Sequence, residues 1–169
     1  ENPFRRYMEF LYEMDDLNSD EIQVYSGIGR VFLQLIETTD MQKVYKMPIL
    51  YSFYNDGNVR LAVKDEEVLL AWKKFFDNGV NWKDFASDIS YADYKAITDK
   101  QHLSKAKSMP IKFLKASGKG FFIEKEGYAL AIKEDLKDVV RNKAFKNHMK
   151  DILEYRTMEY YRRRYESNT

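Results

Sequence analysis

Residues 48–76 read PILYSFYNDGNVRLAVKDEEVLLAWKKFF, which predicts a helix, a tight turn, β structure and a second helix in direct succession. Pro48 suits the first turn of a helix that we expect to run through Tyr54. The Asn-Asp-Gly sequence at residues 55–57 predicts the turn, and the apolar alternation after it is typical of a strand. Three acids at residues 65–67 then favour the start of a helix with a buried apolar face.

A second stretch of the chain repeats this order. Residues 46–49 (KMPI) resemble residues 108–111 (SMPI), and residues 62–66 (AVKDE) resemble residues 131–135 (AIKED). A helix and β structure lie between the members of each pair, and in the second copy the β structure predicts a hairpin over 121–132. We therefore expect an internal repeat, with chance similarity as the alternative. Helices followed by a small hairpin are typical of winged helix-turn-helix units, although such a likeness does not establish function.

The flanking segments predict further helices. An amphipathic helix is expected over residues 3–14, and a second helix is expected from a cap at Ser19. Gly27 and Gly29 interrupt that helix; they lack the third glycine of a dinucleotide loop and favour a break that allows close packing. Short helices are expected over 77–108, with a helix from Pro110 and another over about 134–165 that breaks near Asn142. The sequence thus predicts an α+β fold that is mostly helical, with small β-hairpins and winged-helix-like elements.

The distribution of charge divides the chain in two. Residues 1–90 carry 10 Lys and Arg against 16 Asp and Glu, whereas residues 91–169 carry 18 against 11. We expect an acidic helical half with a winged-helix-like unit over 1–76, a connecting segment over 77–108, and a basic half with the hairpin and a long C-terminal helix over 109–169. Together they are expected to form one compact domain. A polyanionic partner would bind the basic half; the alternative is that both halves simply carry solvated charges.

The composition excludes several kinds of site. The chain has no cysteine, so disulfides, thiolate zinc sites and cysteine nucleophiles are ruled out. Its two histidines, His102 and His148, have no metal-binding partner at helical spacing, and we expect neither a metal nor a cofactor. No apolar run approaches the roughly 18 residues of a membrane span. Without a secretory signal, the chain is expected in the cytoplasm, and its start at Glu1 suggests a fragment of a longer protein.

The acidic clusters do not match catalytic patterns. Asp16, Asn18 and Asp20 occupy the first three ligand positions of a calcium loop, but Gly27 stands where the final glutamate is required. The sequence Glu-Lys-Glu at residues 124–126 does not have the Glu-x-Lys spacing of metal-dependent nucleases. We therefore expect no catalysis by this chain.

Cations in two places predict contacts with phosphates. Lys43 and Lys46 flank Tyr45 just before a predicted helix N-terminus, where backbone N–H groups can bind a phosphate. Lys119 lies at the tip of a glycine turn. The alternatives are that Tyr45 packs into the core and that Lys119 is merely exposed.

The C-terminal helix supplies the remaining candidates. At 100° per residue, Arg156 and Arg163 fall on its apolar face, where an arginine either faces a partner or packs and pairs internally. Interleaved tyrosines and arginines suit base stacking and phosphate contacts, although cations at a helix C-terminus also complement the helix dipole. The predicted nucleic-acid-binding residues are Lys43, Tyr45, Lys46, Lys119, Arg156, Tyr161, Arg162, Arg163 and Arg164.

One segment carries a family resemblance. Residues 38–50, TTDMQKVYKMPIL, resemble a T-x-M-x-K-x-Y-K-M-P-x-L segment downstream of the motor domains in large bacterial DEAD/DEAH-type superfamily 2 helicases of restriction or defence type. Residues 2–12 and 154–165 look like further parts of that region. The resemblance implies an accessory domain of an ATP-driven nucleic-acid enzyme. The chain has neither a Walker motif nor an Asp-Glu-x-His box, so the motor is not within it.

These observations predict a non-catalytic domain that binds nucleic acid, DNA in particular, and that contacts motor domains of the same polypeptide. The alternative is a protein-docking or scaffolding domain. A continuous basic surface would favour nucleic acid, whereas an exposed apolar patch of several hundred Å² would favour a protein partner.

Overall fold

The computed structural model describes Glu9 and residues 17–167. The predicted helix over residues 3–14 lies outside the described residues, apart from Glu9. The chain divides into two compact units, each built from segments that are distant in sequence. Unit 1 comprises Glu1–Thr39, Tyr54–Leu61 and Lys133–Thr169, and unit 2 comprises Asp40–Phe53 and Ala62–Ile132.

The described residues are mostly helical. In chain order the α-helices are α1 (Ser19–Ser26), α2 (Ile28–Thr38), α3 (Lys46–Phe53), α4 (Asp65–Asp77), α5 (Tyr91–Lys95), α6 (Asp99–Ala106), α7 (Lys112–Ser117) and α8 (Lys143–Ser167). The strands are β1 (Tyr54–Asn55), β2 (Asn58–Val59), β3 (Ala62–Val63), β4 (Phe122–Ile123) and β5 (Leu130–Ile132). Short 3₁₀ turns cover Asn81–Asp84, Glu134–Leu136 and Val139–Arg141, and a π-helical turn covers Lys107–Ile111.

Unit 1 is held together by helices α1, α2 and α8. Asn18, rather than Ser19, caps α1, because its side chain accepts from the backbone N–H of Glu21 across 2.9 Å. The side chain of Glu21 in turn accepts from the backbone N–H of Asn18, which completes a capping box. Gly27 separates α1 from α2, as expected. Gly29 lies so close to Val139 that a Cβ there would be 2.7 Å from Val139 Cγ2. The rings of Phe32 and Phe145 stack at 6.1 Å between centroids in the core of this unit.

The predicted Asn-Asp-Gly turn joins β1 and β2 as a two-residue hairpin. Asp56 and Gly57 have φ values of 46° and 81°. Positive φ at both central residues is the pattern of a type I′ turn, whose twist matches that of the paired strands. This confirms the turn predicted from residues 55–57.

Unit 2 contains a small antiparallel sheet in the order β3-β5-β4. Ala62 pairs with Ala131, and Phe122 pairs with Ile132. The predicted hairpin over 121–132 is therefore confirmed. Helix α4 buries Trp72 and Phe76 in this unit, with their ring centroids 4.8 Å apart.

The two predicted repeats share their order only in part. Both begin with a helix followed by β structure, which is the β1-β2 hairpin and then β3 in the first copy but only the β4-β5 hairpin in the second. The matching strands β3 and β5 pair with each other. They then diverge: α4 follows the first copy at once, whereas two 3₁₀ turns precede α8 in the second. At the third helical position of α4, Glu67 accepts from the backbone N–H of Lys64 at 3.0 Å. The matching residue in the second copy is Leu136, which is fully buried and offers no acceptor.

The prediction of a helix from residue 134 is accordingly wrong at its start. Helix α8 begins at Lys143, and the predicted break near Asn142 is confirmed. Asn142 accepts from the N–H of Phe145 at 3.0 Å and donates to Asp20 O, also at 3.0 Å. The side chain of Asn142 thus caps α8 and ties its start to α1.

Pro110 does not begin a helix, contrary to prediction. It lies inside the π-helical turn of Lys107–Ile111, which joins α6 to α7 in one continuous helical run. Proline lacks a backbone N–H and its ring clashes with the carbonyl four residues earlier. Widening the helix locally to a π turn accommodates both effects.

The described structure confirms an α+β, mostly helical fold with two small antiparallel sheets. The two units follow different boundaries from the predicted division at residues 76 and 108, because the pairing of β3 with β5 joins segments from both halves of the sequence. Within residues 17–167, no helix has the length and apolar character needed to cross a membrane.

Candidate nucleic-acid interface

The side chain of Lys105, on α6, forms the centre of a cationic site in unit 2. Its ammonium lies 4.3 Å from the ring centroid of Phe85 and 4.9 Å from that of Tyr45. It also donates a hydrogen bond to the backbone carbonyl of Phe85. Within residues 17–167, no carboxylate pairs with Lys105, which is therefore a cation held in place without a neutralising charge. We name Lys43, Tyr45, Phe85 and Lys105 the Lys105 site.

Tyr45 forms a rigid side of this site. Its hydroxyl donates to the same Phe85 carbonyl at 2.8 Å, and its ring stacks against Trp72 at 6.0 Å between centroids. Only 9% of Tyr45 is exposed, and burial raises the pKa of its phenol. The ring of Tyr45 therefore packs in the core, which was the alternative to phosphate binding, and it is too buried to stack on a base.

Lys43 brings a second positive charge to the site. It is exposed, and its charge lowers the pKa of Lys105, although burial of the Lys105 ammonium is the larger cause of that shift. Two cations near one another create a local positive potential that attracts an anion. An oxyanion placed beside both would relieve their mutual repulsion.

The start of α3 does not offer the amide site that the sequence predicted. The helix begins at Lys46, two residues earlier than expected, and the N–H of Met47 already donates to Val44 O at 3.0 Å. Pro48 has no N–H to give. Lys46 itself donates to Asp40 O at 2.7 Å, so its ammonium braces the loop before α3.

Lys119 lies at an exposed turn, as expected. Its φ of 51° places it in the left-handed region, followed by Gly120 at 79°. Its part in binding stays a prediction. The nearby Glu124, weighed above as a nuclease residue, is paired with Lys115 at 2.8 Å, and this bond lowers the pKa of the Glu124 carboxyl.

Arg156 has a structural position in unit 1. Its Nη1 donates to Ile36 O at 3.1 Å and to Thr39 O at 2.6 Å, at the C-terminal end of α2. The last carbonyls of a helix have no partner within the helix and carry partial negative charge. Arg156 is thus half-buried and donates to these carbonyls, as the alternative of internal packing and pairing expects. Its part in phosphate binding stays a prediction.

The final turns of α8 carry the remaining predicted residues. Arg162 pairs with Glu166 at 3.4 Å, and Arg163 pairs with Glu159, so each arginine has a carboxylate on its own helix. Arg163 is exposed rather than part of the packing face. Arg164 is half-buried, and its backbone carbonyl accepts from Ser167 Oγ at 2.9 Å.

Tyr161 is half-buried on the same helix. Its ring meets that of Tyr160 edge to face at 5.2 Å between centroids. Its hydroxyl is buried without a hydrogen-bond partner among the described residues, and burial raises the pKa of this phenol. A base could stack only on the exposed part of the ring.

The predicted residues thus fall into two groups. Lys43, Tyr45, Lys46 and Lys119 belong to unit 2, and the others belong to unit 1. Unit 2 carries 14 Lys and 11 Asp or Glu, a net charge of +3, and unit 1 carries 14 Lys or Arg and 16 Asp or Glu, a net charge of −2. The two units therefore differ much less in net charge than the two halves of the sequence do.

Lys105 is not among the binding residues predicted from the sequence. The only local indication was its position on α6, one turn after His102 and beside Ala106, both of which are buried. A lysine on the buried side of a short helix indicates a constrained ammonium. Its ring partners could not be identified because they are distant in sequence.

Comparisons with known proteins give no relative. No protein-family model, curated protein or solved structure matches this chain. Within residues 17–167, no cluster of three or more histidine, aspartate or glutamate side chains could hold a metal ion.

Proposed function

We propose that this chain is a non-catalytic accessory domain that binds nucleic acid, within a helicase-like protein of restriction or defence type. The observation that carries the proposal is the pair of cations at the Lys105 site. The rings of Tyr45 and Phe85 and the Phe85 carbonyl fix the position of the Lys105 ammonium, so little side-chain entropy is lost on binding. A backbone phosphate would neutralise Lys43 and Lys105 together.

The proposed partners are nucleic acid, with DNA preferred, and motor domains of the same polypeptide. Support for the motor comes from the resemblance of residues 38–50, and this segment contains Lys43 and Tyr45 of the Lys105 site. The proposed location is the cytoplasm.

The proposed lack of catalysis is supported by how the titratable groups are engaged. His102 accepts a hydrogen bond from Trp72 at 3.1 Å, and Glu124 pairs with Lys115. Incubation of the chain with Mg²⁺ or Mn²⁺, ATP and labelled DNA or RNA should yield no turnover. Cleavage that is lost on Glu124→Gln or Glu126→Gln would contradict this part of the proposal.

Fluorescence anisotropy tests the binding itself. The chain is titrated against labelled single- and double-stranded DNA and RNA, starting at about 50 mM salt, where phosphate contacts are weakly screened. Each phosphate contact contributes about −0.7 to −0.9 to the slope of log K against log salt concentration. Lys43→Gln with Lys105→Gln removes the one phosphate contact that the two lysines share, and should therefore weaken binding and flatten the slope by about 0.7 to 0.9.

A double variant of equal charge provides the control. Lys100→Gln with Lys112→Gln removes two exposed lysines of the same unit and should leave the slope near that of the original chain. Equal loss in both double variants would mean that only net charge matters. No binding of the unmodified chain at tens of micromolar would refute the proposal.

A docking function is the second candidate. Met158 and Tyr165 lie seven residues apart on α8 and are 64% and 58% exposed. Side chains two turns apart share a helix face. If binding to nucleic acid is absent, Met158→Ser should abolish co-purification with the motor domains of the parent protein.

A further inference from the structure

Two aromatic rings meet at the surface of unit 2, in a segment that contains none of the predicted binding residues. Trp82 lies in the 3₁₀ turn Asn81–Asp84, and Tyr91 is the first residue of α5. Their ring centroids are 5.2 Å apart, with 65° between the ring planes. Tyr91 is 53% exposed and Trp82 is half-buried, so part of this aromatic surface is open to solvent.

A buried ring holds the pair in place. The ring of Tyr94 contacts that of Trp82 at 6.4 Å between centroids, and it is itself only 3% exposed. The hydroxyl of Tyr94 donates to Asp77 at 2.6 Å, which fixes the ring further. Tyr94 also contacts Phe85 of the Lys105 site at 5.8 Å, so one aromatic cluster connects the two places. Rings that are already fixed lose little conformational freedom when a ligand binds.

A lysine accompanies each of the two surface rings. The ammonium of Lys83 lies 5.7 Å from the ring centroid of Trp82. That of Lys95 lies 5.8 Å from the centroid of Tyr91. Both lysines are exposed, and in the part of the chain that the structure describes neither is paired with a carboxylate. On α5, Lys95 follows Tyr91 by about one turn and shares its face, whereas Asp93 lies about 200° away.

A ligand that matches this surface has a flat ring and a negative charge. Exposed aromatic rings also bind quaternary ammonium groups, but the two lysines beside these rings would repel another cation. Nucleotides combine both features, because every base has a π face and every linkage has a phosphate. In a duplex the neighbouring bases cover these faces, whereas a single strand can present them to a protein ring.

We propose that unit 2 has a stacking site for single-stranded nucleic acid, the Trp82 site, formed by Trp82, Lys83, Tyr91 and Lys95. A base stacks on the open part of the paired rings, and the exposed lysines move from the rings to the flanking phosphates. The inference rests on the proposed function, because it adds contact with bases to the phosphate contact of the Lys105 site and so favours single strands.

Two labelled strands of equal length separate base stacking from phosphate contact. The 169-residue chain is titrated by fluorescence anisotropy with a single-stranded oligothymidine and with an abasic strand that carries the same phosphates. The oligothymidine should bind at least about fivefold more tightly, because one stacked base contributes about this factor or more. Tryptophan emission gives a second measurement with unlabelled strands. Of the two tryptophans Trp72 is fully buried, so a stacked base should quench the emission of Trp82.

A ring of equal exposure provides the matched control. Tyr91→Ala should reduce the preference for oligothymidine over the abasic strand, whereas Phe113→Ala should leave it unchanged. Phe113 is also 53% exposed and lies on α7 of the same unit. Lys83→Gln with Lys95→Gln should flatten the salt slope for both strands by up to about 1.4. Thermal melting first establishes that all three variants are folded.

The outcomes distinguish failure of this inference from failure of the proposed function. Equal affinity for the two strands would overturn the stacking site and leave the proposed function in place, because phosphate contacts alone would then explain binding. Equal effects of Tyr91→Ala and Phe113→Ala, or quenching by tetramethylammonium but not by oligothymidine, would also overturn the stacking site alone. No binding of either strand would overturn both.

Discussion

The indole N–H of Trp72 donates a hydrogen bond to Nδ1 of His102 across 3.1 Å, where Trp72 is fully buried and His102 is 3% exposed. The rings of Phe85 and Tyr94 meet the imidazole edge to face, with centroids at 5.1 and 5.7 Å. An imidazole that accepts at Nδ1 is neutral and carries its proton on Nε2. Protonation would break this bond and place a charge in the core of unit 2.

The stability of the protein should therefore fall in mild acid. Burial lowers the pKa of His102, and the charge of Lys73 lowers it further. As the pH falls below about 6.5, the unfolded chain takes up a proton on this histidine before the folded chain does. The stabilisation is complete above that pH and is lost as the pH approaches the folded-state pKa. Urea titrations should give a smaller free energy of unfolding at about pH 5.5 than at about pH 7.5.

Single-histidine variants separate the contributions to this slope. Burial also lowers the pKa of His148, which is half-buried in unit 1. His102→Gln should remove its own part of the pH dependence and leave the part due to His148, with the reverse for His148→Gln. The His102 hypothesis fails if His102→Gln retains the full slope, whatever its stability at neutral pH.

Gly29 is expected to tolerate no side chain. A Cβ at this position would lie 2.7 Å from Val139 Cγ2 and 3.3 Å from Phe145 Cδ2. Alanine favours a helix by about 1 kcal/mol over glycine. Overpacking a well-packed core costs roughly 1–3 kcal/mol, and we expect it to dominate. Gly29→Ala should therefore lower the free energy of unfolding.

A double-mutant cycle checks the cause of that loss. In a Val139→Ala background the clash is removed, so Gly29→Ala should become neutral or stabilising there. Val31→Ala, at a half-exposed position of the same helix, serves as a control for changes on α2. An equal cost of Gly29→Ala in both backgrounds would show that the approach of Val139 is not the reason.

The elements that the sequence predicted correctly are those specified by neighbouring residues. The Asn-Asp-Gly turn, the acids that begin α4 and the Asn142 break each act within four residues of their effect. The two wrong helix starts, at residues 134 and 110, depend on packing against residues that are distant in sequence. Leu136 is buried and offers no side-chain acceptor to cap a helix that begins at residue 134. Pro110 lies inside a π-helical turn with an α-helix on each side of it, so the helix does not begin there.

The candidate site depends on contacts that no local pattern contains. Phe85 is 20 residues from Lys105 and 40 from Tyr45, and both donate to its carbonyl oxygen. Periodicity assigned Arg156 to a packing face correctly, but its acceptors on Ile36 and Thr39 lie 120 and 117 residues away. Counting charges by sequence half likewise could not anticipate that distant segments combine in each unit.

Arg156 should matter for stability rather than for binding. Hydrogen bonds from a charged group are each worth about 1.5–3 kcal/mol, and Arg156→Ala would leave the α2 carbonyls without it. We expect Arg156→Ala to lower the free energy of unfolding by roughly 1–3 kcal/mol, with the salt dependence of nucleic-acid binding unchanged. Lys150→Ala, on the exposed side of the same helix, should cost less than about 0.5 kcal/mol. A flatter salt slope in Arg156→Ala would instead support the prediction that Arg156 contacts a phosphate.

The arginines at the end of α8 should exchange their carboxylates for phosphates. Arg162 and Arg163 are 63% and 71% exposed, and their partners Glu166 and Glu159 lie on the same helix. Ion pairs four residues apart on a helix contribute only about 0.3–0.5 kcal/mol, so the exchange costs little. Arg162→Ala with Arg163→Ala should leave the melting temperature nearly unchanged, weaken binding to all sequences and flatten the salt slope by up to about 1.8.

Removal of the competing carboxylates should have the opposite effect on binding. Glu159→Gln with Glu166→Gln leaves both arginines in place and raises the local positive potential, so affinity for DNA should increase and the salt slope should steepen. The opposite signs of the two double variants separate phosphate contact from a general loss of helix stability, which would weaken binding in both. The same anisotropy titrations measure both variants, with circular dichroism at 222 nm as the control for helix content. If the glutamine variants bind no more tightly than the original chain, the end of α8 does not contact the phosphates.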